Sequence, residues 1–293
     1  MADRTALQNA RIVGVDVGGT KVRALVADAA GRIIDDLREP TEPDVVAQIA
    51  RIVRTQTGPP IVGLGVGVPG AVDPQTGCVS RIPNAPLLDG VPLAALLSTT
   101  LHIPVAVEND LAAAALAEAR SATSASVLAV IAAGTGIGLG IVHDGVLLQG
   151  ATGAAGEIGD IPLPTGGTLE DTVSIEGIRR AHVANGGVDA ELSTILALAA
   201  NDDAAALAAI DHYAEGLAFA VQVARAVLDP DRLVLTGGLA GSDVVLDALR
   251  RQLGDAMSGL TVSEHGTDAP AHGALLLGTQ AAARSCGADS SSA

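Results

Sequence analysis

The sequence predicts a mixed α/β fold composed of two related halves. Three β-rich segments, one amphipathic helical segment and a fourth β-rich run follow one another at the start of the chain. This order is typical of a mixed α/β domain. A glycine- and threonine-containing turn lies in the stretch VGVDVGGTKVR at 13–23, and a similar turn recurs at 134–138. The recurrence of one strand–turn–strand pattern indicates two halves of common design.

The first half contains strands, two helices and one long loop before its last strand. We predict strands at 13–17, 22–28, 31–38, 61–68 and 104–107, and helices at 42–57 and 91–101. The apolar side chains of the first helix recur at helical spacing, on one face. The loop at 70–88 is rich in Pro, Gly, Asp and Asn. It is too long for a simple connection and is therefore predicted to be functional.

The second half begins with an alanine-rich helix at 111–120 and repeats the strand–turn–strand pattern. We predict strands at 126–132, 139–143, 146–149, 232–236 and 260–264, and helices at 193–200, 203–228, 244–257 and 272–284. An Asp-Pro pair at 229–230 ends the longest helix, because the residue before proline disfavours the helical region. Residues 287–293 are predicted to be a disordered tail.

Composition and charge limit the class of protein. The 293 residues are enough for one large or two modest domains, and with 48% apolar but 1% aromatic residues the core is aliphatic. The 17 basic and 33 acidic side chains give 17 − 33 = −16, which opposes binding to nucleic acid or to an anionic membrane. Cys78 and Cys286 lack CxxC spacing, and no apolar run predicts a membrane span. We expect a cytoplasmic protein.

The glycine turns have the chemistry of phosphate sites. Gly18 and Gly19 allow the backbone N–H groups to approach an anion, while Thr20 adds a hydroxyl and Lys21, the only lysine, adds a charge. A plain hairpin with a Gly-Gly turn is the alternative. The second turn strengthens the phosphate interpretation, because two such turns around one cleft would grip a polyphosphate from both sides. Its residues are Gly134, Thr135 and Gly136.

Two aspartates are candidates for the reactive chemistry. Asp16 ends the first strand just before the glycine turn, and Asp110 stands where a strand gives way to a helix. Carboxylates at that junction lie at the ligand-binding edge of an α/β sheet. Asp110 would serve equally well as an ordinary helix N-cap. A third glycine pair, Gly237 and Gly238, precedes a helix and offers another anion or nucleotide contact.

Six stretches together resemble the ROK family of sugar kinases and repressors. They read GVDVGGTK at 14–21, GVGVPGAVD at 65–73, VENDLAAAALAE at 107–118, AGTGIGLGIVHDG at 133–145, GAAGEIGD at 153–160 and LTGGLA at 235–240. The resemblance implies a two-domain actin-like ATPase (ribonuclease H-like) fold, with nucleotide and sugar in a cleft between the domains. We expect domains at 1–109 and 110–271, with helix 272–284 packing back on the first.

The resemblance also implies residue roles. Asp110 would be the general base toward a sugar hydroxyl, and Asp16 would hold Mg²⁺ through water. Gly18 to Lys21 and Gly134 to Gly136 would cradle the phosphates of ATP, and Gly237 and Gly238 would approach the adenosine. Sugar contacts would come from a set of mostly polar side chains and one glycine. They are Gly70, Asn84, Asn109, Asp110, Glu157, Asp160 and Glu170.

One departure from the family pattern concerns zinc. Family members commonly read GEIGH followed by a cysteine-rich CxCGxxGC zinc segment, whereas this chain has Asp160 and then PLPTGGTLED. We therefore predict no zinc site. Since the family histidine also touches the sugar, Asp160 puts the sugar preference in doubt, while Glu170 keeps its place. An ordinary loop or cap carboxylate is the alternative for Asp160.

Several functions remain as alternatives. An ATP-dependent hexose kinase with glucose as default substrate leads, followed by a kinase for another hexose or for an amino or N-acyl hexosamine. Asp160 would favour an amino sugar by pairing with its ammonium group. A polyphosphate donor is an alternative to ATP, but the chain lacks the dense group of basic side chains that binding a long polyanion would require. A sugar-sensing repressor is opposed by the charge and by the short stretch before the first strand, and a non-catalytic binder by Asp16 and Asp110. The apolar helix stripes fit a homodimer or ordinary core packing, and we expect closure on the sugar.

Overall fold

The chain forms two compact units. The computed structural model describes residues 9–81, 88–121 and 125–288. The first unit runs to Arg120 and also includes Leu147–Ala155 and the residues from Asp268 onward, while the second contains Ser121–Val146 and Gly156–Thr267. The expected domain boundaries were 109/110 and 271/272, and the divisions by contacts nearest to them lie at 120/121 and 267/268. The helix after residue 109 stays with the first unit because it lies against Gly67 on one strand of that unit and Gly273 on its last helix.

The first unit is built on a five-stranded mixed sheet of order β3-β2-β1-β4-β7. Its strands are β1 (Arg11–Val17), β2 (Lys21–Asp28), β3 (Ile33–Pro40), β4 (Ile61–Val68) and β7 (Val105–Asn109). The β1–β2 and β2–β3 pairs are antiparallel, and the β1–β4 and β4–β7 pairs are parallel. A short antiparallel pair, β5 (Ala71–Val72) and β6 (Val79–Ser80), follows β4. The predicted strand at 61–68 is confirmed to the residue.

Helices α1 (Val45–Arg54) and α2 (Leu93–Leu101) share the main apolar core of this unit with the sheet. Helix α1 begins where the Asp44 carboxylate caps the N–H of Ala47 at 2.9 Å. Its buried side chains, Ile49 among them, recur at helical spacing, as the sequence predicted. Helix α3 (Asp110–Ser121) follows β7 directly and buries its alanines.

Glycines bring the last helix into direct contact with the first sheet. In chain order that helix is α9 (Ala269–Ala288), preceded by α4 to α8 in the second unit. A Cβ at Gly65 on β4 would lie 1.9 Å from the carbonyl oxygen of Ala274 on α9, and one at Gly14 on β1 2.4 Å from the Leu275 nitrogen. A Cβ at Gly273 would lie 1.7 Å from the carbonyl oxygen of Ala113 on α3. Helix α9 therefore fixes β1, β4 and α3 by backbone contact.

The second unit has its own five-stranded sheet, of order β10-β9-β8-β11-β12. Its strands are β8 (Val127–Ala133), β9 (Ile137–His143), β10 (Val146–Leu147), β11 (Arg232–Thr236) and β12 (Leu260–Val262). Strands β8 and β9 form the antiparallel repeat of the first hairpin, while β11 lies parallel to β8 and to β12. Its helices are α4 (Leu169–Thr172), α5 (Ile175–Ala184), α6 (Leu192–Ala199), α7 (Ala204–Leu228) and α8 (Asp243–Leu253).

Helix α7 is the central helix of the second core. Ile210, Tyr213, Leu217 and Val221 on one face are at most 1% exposed. By length and hydropathy alone the helix would pass for a membrane span, but 56% of that stretch is buried inside the protein. Burial of this kind is typical of a core helix in an aliphatic domain.

Many element ends differ from the sequence prediction by a few residues, and the C-terminal ends of two helices differ most. The helix predicted at 244–257 ends at Leu253, because Gly254 takes a positive φ of 52° and a 3-10 turn follows. The helix predicted at 272–284 extends over 269–288. Residues 287 and 288, predicted as disordered tail, are therefore helical, while 289–293 lie outside the described residues.

Candidate active site

The turn between β1 and β2 is held from behind by backbone and threonine contacts. The N–H of Gly18 donates to the carbonyl of Lys21 at 2.9 Å. Thr41 just after β3 donates its hydroxyl to the Gly18 carbonyl at 2.7 Å and its N–H to the Thr20 carbonyl at 3.1 Å. Gly19, Thr20 and Lys21 are exposed. Hydrogen bonds to the rest of the unit thus hold this turn, and its exposed residues can offer N–H groups to an anion.

Asp16 is a half-buried carboxylate with both acidic and basic side chains around it. Its pKa is raised from 3.8 to about 7, first because burial disfavours the charged form and then because Asp110 carries a like charge. Lys21 and Arg23 oppose this increase. Arg23 lies directly across from Asp16 in the β1–β2 ladder and is itself held by both carboxylate oxygens of Asp36 at 2.9 Å. The structure thus places Asp16 and Asp110 within electrostatic reach of each other.

Asn109, rather than Asp110, caps helix α3. The Oδ1 of Asn109 accepts the N–H of Leu111 at 2.9 Å and that of Ala112 at 3.0 Å, which is the geometry of an N-cap. The carboxylate of Asp110 also accepts the Leu111 N–H, at 2.8 Å. Because Asn109 already satisfies the helix start, capping does not account for a carboxylate at position 110. Asp110 stands in the first turn, where the helix dipole favours negative charge.

Asn109 also joins two parts of the candidate sugar site. Its Nδ2 donates to the carbonyl of Gly70 at 2.8 Å, across the end of β4. Gly70 has a positive φ of 87°, as expected of glycine in a turn. The predicted sugar contact of Asn109 would therefore use the second hydrogen of Nδ2. Asn84, in the same predicted loop, lies outside the described residues.

Glu108 is a half-buried carboxylate beside the candidate site, and the sequence analysis gave it no role. It stands at the end of β7, two residues before Asp110, and accepts a short hydrogen bond from Nε2 of Gln149. Burial raises the pKa of Glu108 from 4.5 to about 7, while Gln149 and the charge of Arg284 lower it. A carboxylate in the stretch VEND was a visible signal. Its partner, however, lies 41 positions along the chain.

The second unit brings its two glycine turns together. Gly134 and Gly136 follow β8, and Gly237 follows the neighbouring parallel strand β11. A Cβ at Gly134 would lie 3.6 Å from the nitrogen of Gly238, and one at Gly237, where φ is 100°, would lie 2.4 Å from the Ala133 carbonyl oxygen. The predicted phosphate and adenosine contacts therefore meet at one sheet edge, where α/β sheets bind ligands.

Glu170 lies against the same edge. Its Oε2 is 3.4 Å from the N–H of Ile137 and would be 2.3 Å from a Cβ at Gly136 and 3.2 Å from one at Gly159. A side chain at either glycine would require the Glu170 carboxylate to move. The segment that carries Glu157 and Asp160 ends in the 3-10 turn Ile158–Asp160. Gly159 of this segment therefore lies beside Glu170, whose carboxylate also faces the glycine turn at Gly136. A sugar contact of Glu170 remains a prediction.

The acidic groups suit magnesium better than a transition metal. Among the described residues, no group of three or more His, Cys, Asp or Glu side chains has metal-holding geometry. Mg²⁺ needs no such cage, because it keeps part of its water shell and binds one or two carboxylates together with phosphates. Burial and Asp110 raise the pKa of Asp16, so the carboxyl group resists losing its proton. A cation bound nearby would lower this pKa and favour the carboxylate. Asp16 therefore fits magnesium held through water.

Comparison with known proteins identifies the family. A model described as the ROK family matches residues 12–281. The chain belongs to the ROK family. The resemblance seen in the six motifs is thereby confirmed. The predicted fold class is also confirmed, because the similar solved structures include a ROK glucokinase and a ROK hexokinase, and such sugar kinases have the two-domain actin-like ATPase fold.

Three relatives illustrate the range of the similarity. A glucokinase of Halalkalibacterium halodurans is 32% identical over 279 residues, covering 82% of this chain and 84% of its own. An N-acetyl-D-glucosamine kinase of Vibrio cholerae is 29% identical, covering 82% and 88%. A ROK glucokinase of Streptomyces griseus, solved with glucose and AMPPNP, is 26% identical with a TM-score of 0.77 and coverage of 92% and 99%. These relatives act on different sugars by name.

Proposed function

We propose that this ROK protein is an ATP-dependent sugar kinase that transfers the γ-phosphoryl group of ATP to a hexose hydroxyl, with glucose as the default substrate. The observation that carries the proposal is the junction of β7 and α3. There Asn109 satisfies the helix start, so that the carboxylate of Asp110 stands at a ligand-binding sheet edge without being needed as the cap. The sugar-kinase names of the relatives support the reaction class.

In the proposed reaction Asp110 is the general base. It accepts the proton of the attacking sugar hydroxyl while the sugar oxygen forms its bond to the γ-phosphorus. The bond from that phosphorus to the bridging oxygen breaks, and ADP leaves. Phosphoryl transfer depends mainly on positioning and charge neutralisation, so one base and well-placed donors suffice.

The remaining residues bind and orient the two substrates. The turn containing Gly19 to Lys21 and the turn at Gly134 to Gly136 supply donors for the phosphates, and Gly237–Gly238 gives the backbone access to the adenosine. Asp16 would hold magnesium through water, and this ion supplies neutralisation of phosphate charge when bound. The sugar would be bound by Gly70, Asn84, Asn109, Glu157, Asp160 and Glu170.

A coupled ADP-release assay with Mg-ATP tests the proposal. Native protein would be assayed with glucose, mannose, fructose, glucosamine, N-acetylglucosamine and N-acetylmannosamine, beside Asp110→Asn. We expect turnover with at least one sugar and a loss of about 10³-fold or more in kcat for the variant, since a positioned base contributes about 10²–10⁴-fold. Asp89→Asn, an exposed change of the same kind, serves as the control.

The outcomes separate the candidate functions. Turnover that survives Asp110→Asn would refute the assignment of the base. A folded protein that binds sugar without turnover, with ATP or polyphosphate as donor, would instead be a sugar-binding regulator. The net charge of −16 gives such a regulator no general attraction to DNA.

Asp160 favours a second candidate substrate, an amino sugar. The side chain of Asp160 is exposed at the end of the segment that carries Glu157. A carboxylate there would pair with the ammonium group of glucosamine, whereas an N-acetyl group offers no charge. If this candidate is right, Asp160→Asn lowers kcat/KM for glucosamine several-fold and leaves that for glucose unchanged. We further propose a cytoplasmic enzyme that forms a homodimer, which light scattering would test by the molar mass in solution.

A further inference from the structure

Segment 150–156, which leads to Glu157 and Asp160, has almost no side chains with which to anchor itself. It reads GATGAAG, and Gly150, Gly153 and Gly156 all have positive φ. Glycines at such positions leave a chain many alternative conformations. Something other than its own side chains must therefore fix the conformation of this segment.

Gln149 supplies one anchor at the start of the segment. Its Nε2 donates to the half-buried carboxylate of Glu108, and its carbonyl accepts the N–H of Ala155 at 3.1 Å, which closes the loop on itself. A second contact lies farther along, where a Cβ at Gly153 would be 2.1 Å from the carbonyl oxygen of Val72 on β5. Both contacts lie within the first unit, which includes the segment as far as Ala155, while its last residue belongs to the second unit.

Glu108 connects this anchor to the proposed base. Its neighbour Val107 points into the apolar core, so the side chain of Glu108 leaves the strand on the opposite face. Asp110 follows two residues later, at the start of α3. One strand end therefore carries both the tether of the glycine segment and, two residues later, the proposed base.

We propose that the Glu108–Gln149 hydrogen bond is a positioning contact that holds segment 150–160 in its sugar-binding conformation. The inference rests on the proposed function of Glu157 and Asp160. Without the hydrogen bond the segment populates the binding conformation only part of the time, and the apparent affinity for sugar falls by that fraction. Neither side chain takes part in phosphoryl transfer, so the rate with saturating sugar is unaffected.

The exchange of the two side chains provides the sharpest test. Gln149→Ala removes the donor and is expected to raise the KM for sugar about tenfold, with kcat and the KM for ATP within about twofold of native. Glu108→Gln keeps an acceptor for Gln149 and keeps the sugar KM within about threefold. The double variant E108Q/Q149E restores the pair in reverse and is expected to restore the KM. Gln222→Ala, an exposed change on α7, is the matched control.

Hydrogen exchange of the substrate-free protein tests the tether without any activity. Amides at 150–160 are expected to exchange faster in Gln149→Ala than in the native protein, and at the native rate in E108Q/Q149E. If the native protein phosphorylates no sugar, the proposed function fails but this readout still decides on the tether. Unchanged exchange in Gln149→Ala overturns the proposal, and so does a KM increase that the reversed pair does not rescue.

Discussion

The replacement Asp16→Asn is expected to stabilise the fold, and more so at high pH. The pKa of Asp16 is raised by burial from 3.8 to about 7, so the folded protein binds a proton more tightly than the unfolded chain. Stability is therefore lost as pH rises from about 4 through 7 and is constant above. At about 1.4 kcal/mol for each unit of pKa, the full cost is roughly 4 kcal/mol. At pH 5.5 only about half of it has appeared.

Asparagine keeps the shape of the side chain and removes the charge. The free energy of unfolding of Asp16→Asn, relative to native protein, should thus be greater by about 2 kcal/mol at pH 8.5 than at pH 5.5. Both pH values lie above the isoelectric point of about 4.5, which avoids precipitation of the neutral chain. Asp89→Asn controls for the loss of one negative charge.

Urea unfolding followed by circular dichroism is the suitable assay, since the chain has no Trp and one Tyr. Measurements would be made in metal-free buffer, because a bound cation would stabilise the ionised carboxylate. An equal effect of Asp16→Asn at both pH values would refute the reasoning that burial makes this carboxylate costly. A destabilising effect that grows with pH would show that Lys21 and Arg23 outweigh burial and Asp110.

Two further changes test contacts that position the site. Gly65→Ala places a methyl group 1.9 Å from the Ala274 carbonyl oxygen and should destabilise by about 3 kcal/mol or more, whereas Gly241→Ala, with open space around it, should be nearly neutral in urea unfolding. A neutral Gly65→Ala would mean that α9 is free to shift. Asn109→Ala removes the cap of α3 and should cost about 1–2 kcal/mol and lower kcat, which thermal unfolding and the ADP-release assay would measure. Unchanged melting would show that Asp110 takes over the cap.

Much of the fold was predictable because the strands are short, β-branched runs bounded by glycine turns. Strands at 61–68 and 232–236 were predicted to the residue. The helix start at 203 was predicted, and Asp203 caps it. The helix predicted from 42 begins three residues later, after its cap Asp44. The ends of helices were less accurate, because Gly254 stops α8 only through its positive φ, which a sequence does not state.

The sequence proposes residues for the candidate site, but it does not show their contacts. Asn109 and Asp110 are both good caps, so only coordinates could show which one satisfies the helix. The pairing of Glu108 with Gln149 joins distant parts of the chain, which periodicity cannot reveal. One signal was available and unused: glycines at 63, 65 and 67 alternate along one face of β4, which indicates close approach of another backbone.

The direct contact of α9 with β1 and β4 has a consequence for synthesis on the ribosome. Helix α9 follows the whole second unit in the chain, yet it covers glycine-lined strands of the first. The nascent second unit has all its residues once Thr267 has been added, while the first still lacks the helix that seals its sheet. Domains usually fold in order from the N-terminus during translation. Here the second unit is complete before the first. The glycine-lined sheet of the first unit stays exposed, and accessible to chaperones, until helix α9 has been synthesised.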